Sequence, residues 1–308
     1  MRFTLAHPLL AAPPLLAQAP LPSSNVPIER PAGAIGDLAV EIADVALEDG
    51  TIVEVESGTL LVPERRGAPD TGAVALPFYR IPAAAEEPAP PVFLLAGGPG
   101  SSWLDLFEDV DHHADVMRLA ARADVVLFDQ RGAGRARPRL DPVVPSRRLP
   151  ADEPFDVERW GAEMREMSAA CRAYWTARGV DLDGYTTAES AADVDALREV
   201  LGYERISLLG GSYGSHLALA VMKRDPGRLH RVVLHGVEGL DHTWDDPAGV
   251  LRTLERIAAD VAESERYRDA LPEGGLLGGL RRAIDALERE PVLAGSRRGT
   301  EVVVDAEL

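Results

Sequence analysis

The 308-residue chain has a single cysteine, Cys171, so no disulfide can form within it. Cys171 shares a helix-period apolar stripe with Val157, Trp160, Met164, Met167 and Trp175, and reads as a small buried side chain, not a reactive thiol. Basic residues are outnumbered, 32 to 50, for a net charge of −18. A surface of that sign repels phosphate backbones and anionic lipid and argues against nucleic-acid binding. No Cys/His cluster of zinc spacing occurs, and neither a metal nor another cofactor is expected. No apolar run has the length of a membrane-crossing helix, and no internal repeat is evident. What remains is an ordinary globular composition, 46% hydrophobic and 27% charged, long enough for one α/β domain with a small addition.

The N-terminus carries Arg2, an alanine- and leucine-rich stretch over 5–16 and then Ala17-Gln18-Ala19, an A-x-A cleavage pattern. Residues 1–19 are therefore expected to be a signal peptide and the protein to be exported, periplasmic or secreted. Pro8, Pro13, Pro14 and Pro20 keep a disordered cytoplasmic leader open as the alternative. With no cysteine near the cut, a lipoprotein anchor is excluded. Residues 20–45, proline-rich and then weakly patterned, read as a linker.

From residue 51 the pattern turns to strands: 53–63, the alternating stretch 73–81, and the short apolar runs 92–95, 125–128, 206–209 and 231–234. The continuous runs suit a parallel sheet covered on both faces. Helical periodicity intervenes, most clearly over 187–201, where Thr186 and Glu189 have the spacing of a capping box. The pattern predicts an α/β fold, a mostly parallel sheet of about six strands occupying 46–238. After Gly239 come two amphipathic helices, the first opened by Asp246-Pro247, and 239–308 reads as the beginning of a helical cap, with no further sheet strand.

Gly210-Gly211-Ser212-Tyr213-Gly214 lies where the fifth of these strands gives way to a helix. This is the G-x-S-x-G elbow in the context its chemistry needs, a serine hydroxyl at a strand tip with unpaired helix N–H groups behind it. Ser212 is the candidate nucleophile, against the alternative of a merely structural glycine-rich turn. Acyl transfer also needs two backbone donors aimed at the developing oxyanion. The N–H of Tyr213 supplies one. Ala96-Gly97-Gly98-Pro99-Gly100, directly after the strand 92–95, supplies the other, with Gly98 as the candidate and a plain tight turn as the alternative.

Together the segments GTLLVPERR, PPVFLLAGGPGSS, DVVLFDQRGAGRARPRL, YTTAESAADVDALREVLGYERISLLGGSYGSHLALA and RVVLHGVEG resemble, in order, the proline iminopeptidase and tripeptidyl aminopeptidase family of α/β-hydrolases. The resemblance implies an α/β-hydrolase fold and a serine peptidase that releases short N-terminal units through an acyl-enzyme on Ser212, its cap excluding longer chains. Ala96 stands where many members have histidine, and Ala136 where a serine is usual. Asp129 and Arg131 of the DQRG segment are read as braces for the loops around the site. In this fold an acid and then a histidine follow the nucleophile. The resemblance places them on strands after the cap, so an aspartate and a histidine are expected beyond residue 308. The chain is then the N-terminal part of a longer hydrolase whose last strands are missing, inactive by itself. Within the chain, His216, His230, His235 and His242 are the histidines near Ser212; His235 takes a position where similar proteins often carry aspartate, and Asp241 is the nearby acid. His112 and His113 read as a solvated pair instead of pocket lining. The expected substrate is a small peptide. An esterase of the same fold, or a shortened pseudohydrolase that only binds, are the alternatives.

Overall fold

The computed structural model describes residues 28, 30–143, 153–241, 246–297 and 300–306. Nine strands and seven α-helices are formed among them: β1 (Leu38–Ala46), β2 (Ile52–Pro63), β3 (Ala73–Ile81), β4 (Ala89–Leu95), α1 (Trp103–Glu108), α2 (Val110–Ala120), β5 (Ala123–Phe128), α3 (Val157–Ala177), α4 (Thr187–Val200), β6 (Ile206–Gly211), α5 (Tyr213–Arg224), β7 (Leu229–His235), α6 (Pro247–Glu263), α7 (Gly275–Arg289), β8 (Val292–Arg297) and β9 (Thr300–Val304). The main sheet has seven strands in the order β1-β2-β3-β5-β4-β6-β7. β1, β2, β3 and β5 pair antiparallel in succession, whereas β5-β4-β6-β7 run parallel. The parallel part carries the site.

Alternate residues of the central strands enter two separate cores. Phe93, Leu95, Val126 and Phe128 pack with Val194 and Leu197 of α4 and Leu217 and Val221 of α5. Leu94, Val125 and Leu127 face the other way, onto Leu104 and Phe107 of α1 and Val116 of α2. Both faces being covered, the runs 92–95 and 125–128 have to be apolar at every position. Each fully buried side chain of this size contributes about 1.5–3 kcal/mol.

β1 corrects the linker reading over 38–45 and adds a seventh strand to the six that the sequence pattern marks. It pairs with β2 along its whole length, from Leu38 opposite Leu60 to Ala46 opposite Ile52. As an edge strand it buries only Val45, and Val40 and Ile42 are exposed, so its backbone ladder defines it and no burial pattern announces it. The capping expectation holds in half. Thr186 Oγ1 accepts from the Glu189 N–H at 3.3 Å, but the Glu189 carboxylate turns to Arg66, whose Nη1 donates to it at 2.6 Å. Cys171 is half-buried, because α3 contributes no buried residue to either core.

Beyond Gly239, Asp246 caps α6 by accepting from the Ala248 N–H, with Pro247 in the first turn. α6 packs on α7, and their apolar side chains Val250, Ile257, Leu280 and Ile284 remain exposed. β8 and β9 correct the expectation that no sheet strand follows the two helices: they pair as an antiparallel hairpin, separate from the main sheet. The proposed signal peptide, residues 1–19, lies outside the described residues. Among the described residues, no helix is long and apolar enough to cross a membrane.

Candidate active site

β6 and α5 meet at Ser212, whose φ of +53° and ψ of −129° place a non-glycine residue in a sparsely populated region. A residue in such a conformation costs on the order of 1–3 kcal/mol and persists only where its surroundings impose it. Here they do. The Ser212 N–H donates to the His235 carbonyl at the end of β7 (3.1 Å), and the Ser215 Oγ donates to the Ser212 carbonyl (2.6 Å).

The three glycines of the elbow each answer a different crowding. A Cβ on Gly210 would lie 2.3 Å from the Gly214 carbonyl oxygen, and one on Gly214 would lie 2.1 Å from that of Leu95 at the tip of β4. On Gly211 it would meet the His235 imidazole at 2.2 Å. α5 can thus start directly against the tips of β4 and β6, which delivers the serine hydroxyl to the carboxyl edge of the sheet.

The glycine-rich loop after β4 reaches the same point. A Cβ on Gly97 would lie 3.2 Å from the Gly211 carbonyl oxygen and 3.4 Å from the Ser212 Cβ. Gly97 is therefore the loop residue set directly against the serine. Gly98, the candidate donor from the sequence, has φ +109° and turns the loop into the cis Gly98–Pro99 bond. Adjacent glycines gave no sequence signal to separate these two roles.

Asp129, Gln130 and Arg131 follow β5 and fasten three different pieces of backbone. Asp129 is fully buried and accepts from the Ser102 Oγ (2.8 Å) and the Arg135 N–H (2.7 Å). Burial pushes its carboxyl up from the usual carboxylate range, against those hydrogen bonds, which favour the anion. Gln130 Nε2 donates to the Ala96 carbonyl at 2.9 Å and holds the glycine-rich loop down. Arg131 forks onto Asp193 with two bonds of 2.7 Å and gives Nη1 to the carbonyls of Glu64 and Gly184. Arg66 Nη2 donates to the same Asp193 oxygen as Arg131 Nη2, Oδ1, at 2.7 Å.

Next to the elbow opens a cavity of about 480 Å³, lined by Pro99 and Gly100 of the loop, Gln130 to Ala133, Leu140, the 185–187 turn, Ser190 and Tyr213. Tyr213 and Thr187 exchange a hydrogen bond across it at 3.1 Å. The strand-to-helix turn that presents Ser212, the glycine loop beside it and the cavity at the carboxyl ends of the parallel strands all fall within residues 90–291, which match the family model described as the alpha/beta hydrolase fold.

The chain belongs to the α/β-hydrolase fold family. Among its relatives, Serine protease Hip1 of Mycobacterium tuberculosis is 27% identical over 277 residues, 87% of this chain and 46% of that protein. A proline iminopeptidase of Xylella fastidiosa is 30% identical over 183 residues, 54% of this chain and 44% of the relative. A tripeptidyl aminopeptidase of Streptomyces lividans is 29% identical over 180 residues, 56% of this chain and 32% of the relative. The chain spans about half the length, or less, of these curated relatives.

Within this α/β-hydrolase the histidines are dispersed. His216 stacks on Tyr213 (5.7 Å between centroids, 22° between planes) and its Nδ1 lies 3.2 Å from the Gly239 carbonyl oxygen. His230 is exposed at the start of β7, at the opposite end from the elbow. His235 covers Gly211, and Asp241 is exposed. His242 lies outside the described residues. His112 is exposed and sits 3.5 Å from Asp109; His113 is half-buried, with its Nδ1 enclosed, and neither lines the cavity. The side chain that does reach Ser212 is one the sequence reading passed over: Glu238, whose Oε1 accepts from the Ser212 Oγ at 3.0 Å.

Proposed function

We propose that the chain is part of a serine exopeptidase that acts through an acyl-enzyme on Ser212 and takes small peptides in the cavity beside Tyr213. The observation that carries this reading is the strained Ser212 at the strand tip with Gly97 set against it. In the mechanism the Ser212 Oγ attacks the scissile carbonyl. The N–H of Tyr213, at the start of α5, is one oxyanion donor, and the 97–98 stretch supplies the other, each such donor being worth roughly a hundred- to a thousandfold in rate. The peptide preference rests on the names of relatives that include a serine protease, a proline iminopeptidase and a tripeptidyl aminopeptidase. In the form the resemblance implies, an aspartate and a histidine beyond residue 308 complete the machinery of the whole protein. Export through the 1–19 segment belongs to the same proposal.

The test is turnover of aminoacyl- and tripeptidyl-arylamides beside the matching esters, by a protein extended past residue 308 and by its Ser212→Ala variant. The reading expects amide turnover that Ser212→Ala abolishes. Turnover of esters alone would replace the peptidase by an esterase, and undiminished activity of Ser212→Ala would sink the serine mechanism altogether.

Gln130 gives a further expected result. Gln130→Leu leaves the buried Ala96 carbonyl without its donor, a loss of about 1–3 kcal/mol. The glycine loop should loosen more than the core, so fluorophosphonate labelling of Ser212 is expected to slow roughly tenfold or more, as 1.4 kcal/mol corresponds to tenfold. Unchanged labelling kinetics would show that the loop holds its shape without this bond.

A further inference from the structure

We propose that Ser215 is the positioning residue for the oxyanion donor: its hydroxyl holds the Ser212–Tyr213 peptide so that the Tyr213 N–H points at the reacting carbonyl. This inference rests on the reading of Ser212 as nucleophile and of the Tyr213 N–H as donor, and extends it to a fully buried side chain behind the elbow.

A trans peptide unit is planar, and its C=O and N–H point in opposite directions. Whatever fixes the Ser212 carbonyl therefore also aims the Tyr213 N–H, which opens α5 and has no partner within that helix. The Ser212 ψ of −129° sets this plane and is not a helical value, so the helix does not hold it by its own geometry. Ser215 does, with two donors on one oxygen: its N–H lies 2.8 Å from the Ser212 carbonyl oxygen and its Oγ lies 2.6 Å away. On the other side the Ser212 N–H donates to the His235 carbonyl, so the peptides before and after the nucleophile are fastened separately.

The Ser215 hydroxyl is itself oriented from β7. Gly211 pairs with His235 across β6 and β7, and Gly236, with φ +55°, turns the following chain back toward the elbow. The Glu238 N–H then donates to the Ser215 Oγ at 2.9 Å. A hydroxyl has one proton to give and accepts on its lone pairs. The Gly236 carbonyl, at 3.5 Å, is too distant to compete for that proton, which goes to the Ser212 carbonyl at 2.6 Å. His216 fastens the same segment one residue farther along, its Nδ1 lying 3.2 Å from the Gly239 carbonyl oxygen. Position 215 thus needs a side chain that accepts from one piece of backbone and donates to another inside the protein. Alanine does neither, and cysteine does both only weakly.

An oxyanion donor bonds the charge that develops in the transition state more strongly than the ground-state carbonyl, so the loss should fall on kcat and spare KM. The experiment measures turnover of alanine p-nitroanilide and p-nitrophenyl acetate by the parent, Ser215→Ala and Ser215→Cys proteins. Counting kcat per Ser212 titrated with a fluorophosphonate removes any misfolded fraction from the comparison. Both variants are expected to lose at least about tenfold in kcat, less than the roughly hundredfold or more of a deleted donor, because the residue 215 N–H still holds the carbonyl. KM is expected to stay within about twofold. Affinity for butaneboronic acid, whose tetrahedral adduct on Ser212 puts an oxygen in the oxyanion's place, should fall by the same factor as kcat. A Ser215→Ala protein with kcat within about threefold of the parent, a loss that appears in KM alone, or an unchanged boronate affinity would each overturn the proposal. A Ser212→Ala protein with the parent's turnover, or a parent that turns over neither substrate, would instead remove the nucleophile reading beneath it.

Discussion

Replacing Gly214 by alanine is expected to lower the melting temperature by roughly 6–12 °C and to abolish labelling at Ser212. The added Cβ would sit 2.1 Å from the Leu95 carbonyl oxygen and 2.9 Å from its carbonyl carbon, both of them main chain and unable to rotate aside. α5 must then move off β4, while Leu217, Ala218 and Val221 of the same helix are buried in the core and hold it in place. Overpacking of this kind costs about 3 kcal/mol or more, and each kcal/mol is worth roughly 2–4 °C in a protein of this size. Gly161→Ala is the matched control: on α3 its Cβ would meet only the end of the Arg165 side chain at 3.3 Å, and exchanging glycine for alanine inside a helix gains about 0.8–1 kcal/mol. Thermal unfolding of the two variants beside the parent decides the matter. A Gly214→Ala protein that melts within 2 °C of the parent would show that the helix does not depend on this close approach.

Arg131→Met is expected to be the most damaging substitution among the buried charges, at about 3–5 kcal/mol, because it removes one partner from a buried ion pair. Arg131 and Asp193 are both almost wholly enclosed and joined by two bonds of 2.7 Å. Burial pushes the Asp193 carboxyl upward, and the guanidiniums of Arg131 and Arg66 oppose that. Without Arg131, the carboxylate keeps Arg66 alone, and the carbonyls of Glu64 and Gly184 lose their donor. Pairing the change with Asp193→Leu should recover part of the loss, since the isolated charge is then gone too. Urea unfolding of the single and double variants measures this coupling. A double variant as unstable as the sum of the singles would mean that the carbonyl bonds, and not the ion pair, hold the β2 end against α4.

The elbow was legible because its requirements are local. A buried strand, glycines at fixed offsets and a helix start lie within a dozen residues, and the crowding at Gly210 and Gly214 arises where those elements touch. β3 was likewise readable to its end residues, since alternation over 73–81 reflects which side chains face which core. β1 was not, because an edge strand with exposed faces leaves no period in its side chains. The bracing role of Asp129 and Arg131 agrees with the structure, but their partners Ser102, Asp193 and Arg66 could not be named from spacing.

By itself, the sequence determined the fold class, the strand-to-helix elbow at Ser212 and the glycine loop that had to accompany it. Only the tertiary structure decided which glycine lies against the serine and which side chain takes its hydrogen bond. Glu238 is 26 positions from Ser212, on a loop whose place depends on β7 lying next to β6 and on Gly236 turning back. Strand order and the turn after a strand bring distant residues within 3.0 Å without leaving a periodic trace in the chain, so that contact exists only once the sheet has formed.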